Sequence, residues 1–205
     1  MIRSLRRAAD RRRQADGRYG WLFDAYAGDE VVAIDCETTG LDTRRAELVS
    51  IAAVAIEGER VLTSGALDLR LQPPASLSGD SIKIHRLRGV DLDDGEALGE
   101  ALETLLDFVG NRPLLGWCID YDLAVIDRQL RPLFGFGLPN ASLDMARIYR
   151  REMDRTRPQR EPVMSFEAAA EALGVPVMGR HTALGDAVTT ALMYIRLKQG
   201  ALVAR

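Results

Sequence analysis

The stretch EVVAIDCETTG, residues 30–40, constrains this chain more than any other. Val31, Val32 and Ile34 give it the β-branched content of a buried strand, yet it carries Asp35 and Glu37. Side chains alternate along a strand, so the two carboxylates share one face and Cys36 points to the other. The Thr38-Thr39-Gly40 turn ends the strand and leaves the pair near its C-terminal edge, where open α/β sheets build their sites. Two like charges withdrawn from water call for a cation against them.

The rest of the chain reads as strands first and helices later. Residues 3–14 are helical and basic, and YGWLFDAY (19–26) is a short aromatic helical turn docked on the domain. AELVSIAAVAIEGERVLTSGALDLRL reads as two strands joined by a tight turn at Glu57-Gly58-Glu59. QPPASLSG breaks the pattern with two prolines. A helix follows, with Ala97, Leu98, Ala101, Leu102, Leu105, Leu106 and Val109 on one stripe and Asp93 or Asp94 as its cap. RPLLGWCID is a further strand, and YDLAVIDRQLRPLF a helix ending near Gly135. After a Pro-Arg loop, SFEAAAEALG is a helix with a serine cap and a glycine stop, and DAVTTALMYIRLKQ is the last helix. A meander of strands followed by alternating strands and helices favours a mixed sheet with helices on its faces.

Length and charge fit one domain of a soluble protein. The chain has 205 residues, 47% of them apolar, with no apolar run long enough to cross a bilayer. MIRSLRRAADRRRQADG has arginines but no apolar segment, so it does not read as a secretory signal. Cys36 and Cys118 lie in apolar, strand-like stretches and read as reduced, buried thiols of a cytoplasmic protein; their separation does not suit zinc. A net charge of −3 does not advertise nucleic acid. The basic residues, however, are arginines apart from Lys83 and Lys198, and the first eighteen residues hold seven arginines against two aspartates.

Asp35 and Glu37 do not stand alone. RHTALGDA (180–187) places His181 and Asp186 at the head of the last helix, and GWCIDYDLAVID (116–127) offers Asp120, Asp122 and Asp127 at a strand-to-helix junction. Asp35-x-Glu37-Thr-Thr-Gly resembles the first motif of the DnaQ-like (DEDD) 3′–5′ exonucleases. Tyr121-Asp122 resembles their second motif, and His181 with Asp186 five residues on is similar to the third motif of the histidine branch, DEDDh. The three occur in the family's order and span residues 33–187.

The resemblance implies an α/β, ribonuclease-H-like fold: a five-stranded mixed sheet flanked by helices, the first three strands antiparallel. It implies that Asp35, Glu37, Asp122 and Asp186 hold two Mg²⁺ or Mn²⁺ ions, Asp35 bridging them and Glu37 on the ion nearer the water, with His181 as general base. Phosphodiester hydrolysis needs an activated water and a stabilised leaving oxygen, and two cations roughly 3.5–4 Å apart can supply both. Such hard cations take oxygen ligands, which suits an all-carboxylate set. Asp122 is preferred over Asp120 and Asp127 because only it follows an aromatic residue as the family's aspartate does; the other two read as a helix cap and a solvated face. By resemblance Thr38, Thr39 and Leu41 line the pocket of the 3′-terminal nucleotide, His85 of KIHRLRG contacts substrate or packs in a turn, and Arg180 meets a phosphate. Family members often carry His-Asn where this chain has Trp117-Cys118, and Trp117 is either core or a stacking surface.

The expected organisation is a basic helical N-terminal extension over residues 1–27 and an exonuclease domain over 28–205. The expected activity is metal-dependent 3′–5′ hydrolysis of nucleic acid, DNA favoured, to nucleoside 5′-monophosphates. RNA trimming is the alternative substrate class, and a catalytically idle nucleic-acid or partner-binding module is the alternative of another kind. The partner is DNA or RNA with a free 3′ end, and no membrane. The last residues, LKQGALVAR, show no polymerase-binding tail, which favours a free-standing enzyme, and the family allows a homodimer. The arginine-rich segments 1–18 and 150–162 either attract phosphates or form solvated faces.

Overall fold

A computed structural model describes residues 2–156 and 164–200. In chain order it contains α1 (Ile2–Gln14), a 3₁₀ turn (Gly20–Phe23), β1 (Val31–Thr38), β2 (Leu48–Glu57), β3 (Arg60–Val61), β4 (Leu67–Arg70), α2 (Gly79–His85), α3 (Leu98–Val109), β5 (Leu114–Gly116), α4 (Asp120–Phe134), β6 (Ser142–Asp144), α5 (Met145–Thr156), α6 (Phe166–Leu173) and α7 (Ala183–Lys198). The strands form one mixed sheet in the order β3-β2-β1-β5-β6, with β4 also pairing with β2. β1, β2, β3 and β4 meet antiparallel, while β1–β5 and β5–β6 are parallel.

Alternation along β1 sorts the two cores. Val32, Ile34 and Cys36 face one apolar layer with Leu105, Val125 and Ile126 of α3 and α4. Val31 and Ala33 face the other, with Met145, Phe166, Ala187 and Ala191 of α5, α6 and α7. Asp35 and Glu37 belong to this second face, at the end where α7 begins. The register of β1 on β2 shifts between Glu37 and Thr38. Such an irregularity ends pairing and re-aims side chains, as bulges beside active sites do.

The expected mixed α/β sheet is present, with six strands in place of five. β3 and β4 together fill the single position expected for the second hairpin strand, because a 3₁₀ turn at Thr63–Gly65 interrupts it. Neither Asp93 nor Asp94 caps α3; its first flank is Ala97, with no side-chain cap. Residues 95–96 are committed elsewhere: the Glu96 N–H donates to the Arg70 carbonyl (2.8 Å), and the Gln72 N–H to the Glu96 carbonyl (3.0 Å). A Cβ on Gly95 would sit 2.4 Å from the backbone of Leu71, just past β4, so only glycine lets the chain pass there.

The Pro-broken stretch leads into α2, capped by the Ser78 hydroxyl on the Ser81 N–H. The strand expected over RPLLGWCID is only Leu114–Gly116. The expected Pro-Arg loop contains β6 and α5, and its remainder, residues 157–163, lies outside the described residues. Cys36 is buried as expected, but Cys118 is exposed because the chain leaves the sheet before it. Among the described residues no helix is long and apolar enough to cross a membrane.

Candidate active site

Three elements converge on the C-terminal edge of β1. β1 supplies Asp35 and Glu37, the first turn of α4 supplies Tyr121 and Asp122, and the segment entering α7 supplies Arg180, His181 and Asp186. These residues line one cleft of about 270 Å³, together with Leu41, Trp117, Cys118 and Phe166. Oxygens of Asp35, Glu37 and Asp186 lie within 4.8 Å of one another. Asp122 is outside that group, buried at 4% exposure in the cleft wall.

The sequence between His181 and Asp186 is what brings them in. Thr182 caps α7 through its hydroxyl on the Gly185 N–H. A Cβ on Gly185 would lie 1.8 Å from the Met178 carbonyl oxygen, so only glycine lets α7 start this close to the preceding segment. His181 itself has φ +63°, and Cys118 across the cleft has φ +55°. Left-handed backbone at non-glycine residues costs of the order of 1–3 kcal/mol and concentrates at functional sites.

The electrostatics are those of a crowded acid cluster. Burial, then the charges of Asp122, Asp186 and Glu37, hold the Asp35 carboxyl well above its ordinary range. Burial, then Asp186, pushes Glu37 up to about 7, with Arg180 opposing. Burial pushes Asp122 to about 7 against hydrogen bonds from its own N–H and from the N–H and thiol of Cys36. Burial also raises Asp186, while Arg180 lowers it. Arg180 donates to Oδ2 of Asp186 and, through Nε, to Glu167 at 2.6 Å. Its guanidinium lies 4.6 Å from the centroid of Phe166, which meets Trp117 edge-on.

These features fit a hard divalent cation. Oδ1 of Asp186 is buried with no hydrogen-bond partner. Three carboxylates present oxygens to one another, and burial above all pushes the four acids of the cleft toward the protonated form. Carboxylate oxygens are the donors that a hard divalent cation takes.

The remaining sequence candidates divide. Leu41 lines the cleft and is 89% exposed. Thr38 bonds its hydroxyl to that of Tyr121 (2.6 Å), and Tyr121 also donates to the Gly40 carbonyl. Thr39 turns away to Ser76 (2.7 Å) and accepts the Glu47 N–H (3.0 Å). His85 is not brought to the cleft. It is 3% exposed, its Nδ1 accepts the Leu87 N–H at 3.1 Å, and it borders a separate cavity of about 720 Å³ with Arg70, Met178 and Thr182. Arg180, expected at a phosphate, is engaged by two carboxylates. Trp117 is part wall and part core.

Asp120 pairs with Arg147 at 2.6 Å, but the flank of α4 is Ile119, so Asp120 is not its cap. Asp127 accepts the Leu138 N–H at 2.7 Å and is half-buried rather than solvated. Sequence reasoning missed Phe166 and Glu167, which hold Arg180, and the hydroxyl of Tyr121, which holds the 38–40 turn. Only the aromatic residue before Asp122 gave any signal for these.

A carboxylate cleft at the edge of this mixed sheet is the arrangement of the ribonuclease-H-like nucleases. The family model described as Exonuclease, RNase T, matches residues 32–194. The chain belongs to that family and is a DnaQ-like 3′–5′ exonuclease, a hydrolase. It is 28% identical over 169 residues to the DNA polymerase III subunit epsilon of Aquifex aeolicus, covering 81% of this chain and 79% of that one. It is also 28% identical over 121 residues to the oligoribonuclease of Streptomyces griseus, covering 53% and 60%. Exonuclease I shares the fold at TM-score 0.73 and 17% identity, over 84% of this chain and 41% of that one. The chain thus spans less than half of exonuclease I, and 23% of the epsilon-like protein of Rhodobacter capsulatus.

Proposed function

We propose that this exonuclease removes nucleotides from the 3′ end of single-stranded DNA, releasing nucleoside 5′-monophosphates, with two Mg²⁺ or Mn²⁺ ions held by Asp35, Glu37, Asp122 and Asp186 and with His181 as general base. The observation that carries this reading is the convergence of those four acids and His181 on one cleft. When bound, the cations supply Lewis acidity at the phosphate and the leaving oxygen. Asp35, Glu37 and Asp186 would hold one cation, and Asp122, whose charge acts on Asp35, would help to hold the second. His181 takes a proton from the attacking water, whose oxygen bonds to phosphorus as the P–O3′ bond breaks. The terminal nucleotide keeps its 5′-phosphate, and the shortened strand leaves with a free 3′ hydroxyl. Thr38 and Leu41 grip the terminal nucleotide, and Tyr121 fixes that turn by its two hydroxyl contacts.

DNA is favoured by the likeness to the epsilon subunit, and by the solved E. coli exonuclease I bound to a dT13 oligonucleotide. The likeness to an oligoribonuclease supports RNA as the second reading. Residues 28–205 act as the exonuclease domain and 1–27 as a basic extension, in a cytoplasmic protein. One panel tests the substrate class: 5′-labelled single- and double-stranded DNA and RNA with Mg²⁺, Mn²⁺ or chelator. Single-stranded DNA is expected to shorten fastest, as a ladder. RNA degraded at least tenfold faster contradicts the DNA assignment.

A further inference from the structure

The N-terminal helix has no role in the cleft, and its surface is unusual. Arg6, Arg7, Arg11, Arg12 and Arg13 are all exposed, and the one acid of α1, Asp10, is 1% exposed. Asp10 accepts from Arg13 (2.6 Å) and from Arg131 of α4 (3.0 Å), and Gln14 donates to the Phe134 carbonyl (3.2 Å). Among the described residues these contacts pin the C-terminal half of α1 to the far end of the helix whose first turn carries Asp122. Leu5, Ala8 and Ala9 are exposed as well, so among the side chains described no apolar stripe of the helix is buried.

Between the two ends runs a groove of about 670 Å³, lined by Arg6, Asp120, Ala124, Asp127, Arg128 and Arg131. Asp120, Ala124, Asp127 and Arg131 recur at helical spacing on one face of α4. The groove's two acids have partners within the fold, Asp120 in Arg147 and Asp127 in the Leu138 N–H, and Asp10 of α1 has two arginines. Of the groove's arginines, Arg131 is held by Asp10 and Arg128 donates to the Ala46 carbonyl, so the exposed guanidinium here is that of Arg6 in the groove and of Arg7, Arg11 and Arg12 along α1, with the exposed Asp120 beside it.

We propose that α1 and the α4 groove form a phosphate-binding arm for the part of the substrate strand upstream of the 3′ end. Asp120 and Arg131 are eleven residues apart, ~16 Å of helix rise. At ~3.4 Å per stacked nucleotide that distance takes about five nucleotides, so a strand must exceed that length to reach α1. A basic groove that follows the backbone binds without reading sequence and with strong salt dependence. The arm rests on the nucleic-acid reading of the cleft but makes separate predictions.

The test is a quadruple variant of the full chain, Arg6→Gln, Arg7→Gln, Arg11→Gln and Arg12→Gln, beside its lysine counterpart at the same positions. All four side chains are exposed, so both variants are expected to melt as the wild type does. On a single strand of about 20 nucleotides, the glutamine variant is expected to lose roughly tenfold in kcat/KM. On a dinucleotide it is expected to match wild type. The slope of log affinity against log salt is expected to become shallower by about 2, the value for three lost single-strand phosphate contacts, and lysine is expected to restore most of it. An equal loss on both substrates, or no loss on either, overturns the proposal. Fluorescence anisotropy of a labelled strand with Ca²⁺ in place of Mg²⁺ reads binding without turnover. There, weaker binding by the glutamine variant supports the arm even if hydrolysis fails, and equal binding overturns it.

Discussion

Arg180 donates to Oδ2 of Asp186, placing a guanidinium where the acid cluster most needs positive charge. Nε of the same arginine is held by Glu167. The cation that Asp35, Glu37 and Asp186 can hold must therefore compete with a side chain already in place. Arg180→Ala is expected to bind Mn²⁺ several-fold more tightly by calorimetric titration. It is also expected to lower the melting temperature of the metal-free protein near neutral pH, since it removes the charge that opposes the rise at Glu37 and Asp186. Weaker Mn²⁺ binding in the variant contradicts this placement of Arg180.

The raised acids fix the sign of a pH effect. Glu37 and Asp122 titrate near 7 in the metal-free fold, whereas unfolded carboxylates titrate near 4. Between those values the folded state keeps protons that the unfolded chain has released. The cleft's contribution to stability is full below about pH 4 and is lost as pH rises through about 7. The metal-free protein is expected to lose less stability between pH 5 and pH 8 when Glu37 is replaced by Gln. Saturating Mg²⁺ is expected to flatten the same slope, because binding selects deprotonated carboxylates. An unchanged slope in Glu37→Gln removes the buried cluster as its cause.

Asp35→Asn is expected to abolish hydrolysis while leaving the metal-free melting temperature unchanged or higher. Asp35 faces three other carboxylates, and its neutralisation relieves repulsion where no cation is bound. A clearly lower melting temperature assigns Asp35 a structural role instead.

Tyr121→Phe keeps the ring and loses the hydroxyl contacts to Thr38 and the Gly40 carbonyl. A hydrogen bond of this kind contributes about 1 kcal/mol. With the 38–40 turn loosened, KM is expected to rise about three- to tenfold while metal affinity stays constant. A fall in metal affinity without a change in KM places the hydroxyl at the cation set instead.

The cleft was legible wherever its chemistry is local in sequence. Asp35-x-Glu37 needs only strand alternation, and His181 and Asp186 need only the head of one helix. Phe166 and Glu167 were not legible, since they reach Arg180 through the packing of α6 on the α7 entry. For His85 the sequence left substrate contact and turn packing open, because KIHRLRG fixes a turn and not the direction that turn faces; the fold buries it away from the cleft. In the fold, β6 is three residues long and carries no periodicity. α5 hid its buried Met145, Tyr149 and Met153 at i, i+4 and i+8 among arginines that suggested a loop. The position of Cys118 was read from apolar neighbours, whereas its backbone had already left the strand at Gly116.

The most direct measurement follows one 5′-labelled single strand of DNA through removal and return of metal. With Mg²⁺ or Mn²⁺ the strand is expected to shorten stepwise from its 3′ end, with 5′-mononucleotides accumulating. Chelation is expected to stop the reaction, and fresh cation to restart it. Under single-turnover conditions His181→Ala is expected to run roughly 10²–10⁴-fold slower with metal affinity intact, the range for a positioned general base. Shortening that persists in chelator with the metal verifiably removed, or wild-type single-turnover rates in His181→Ala, contradicts a cation-loaded carboxylate cleft served by His181.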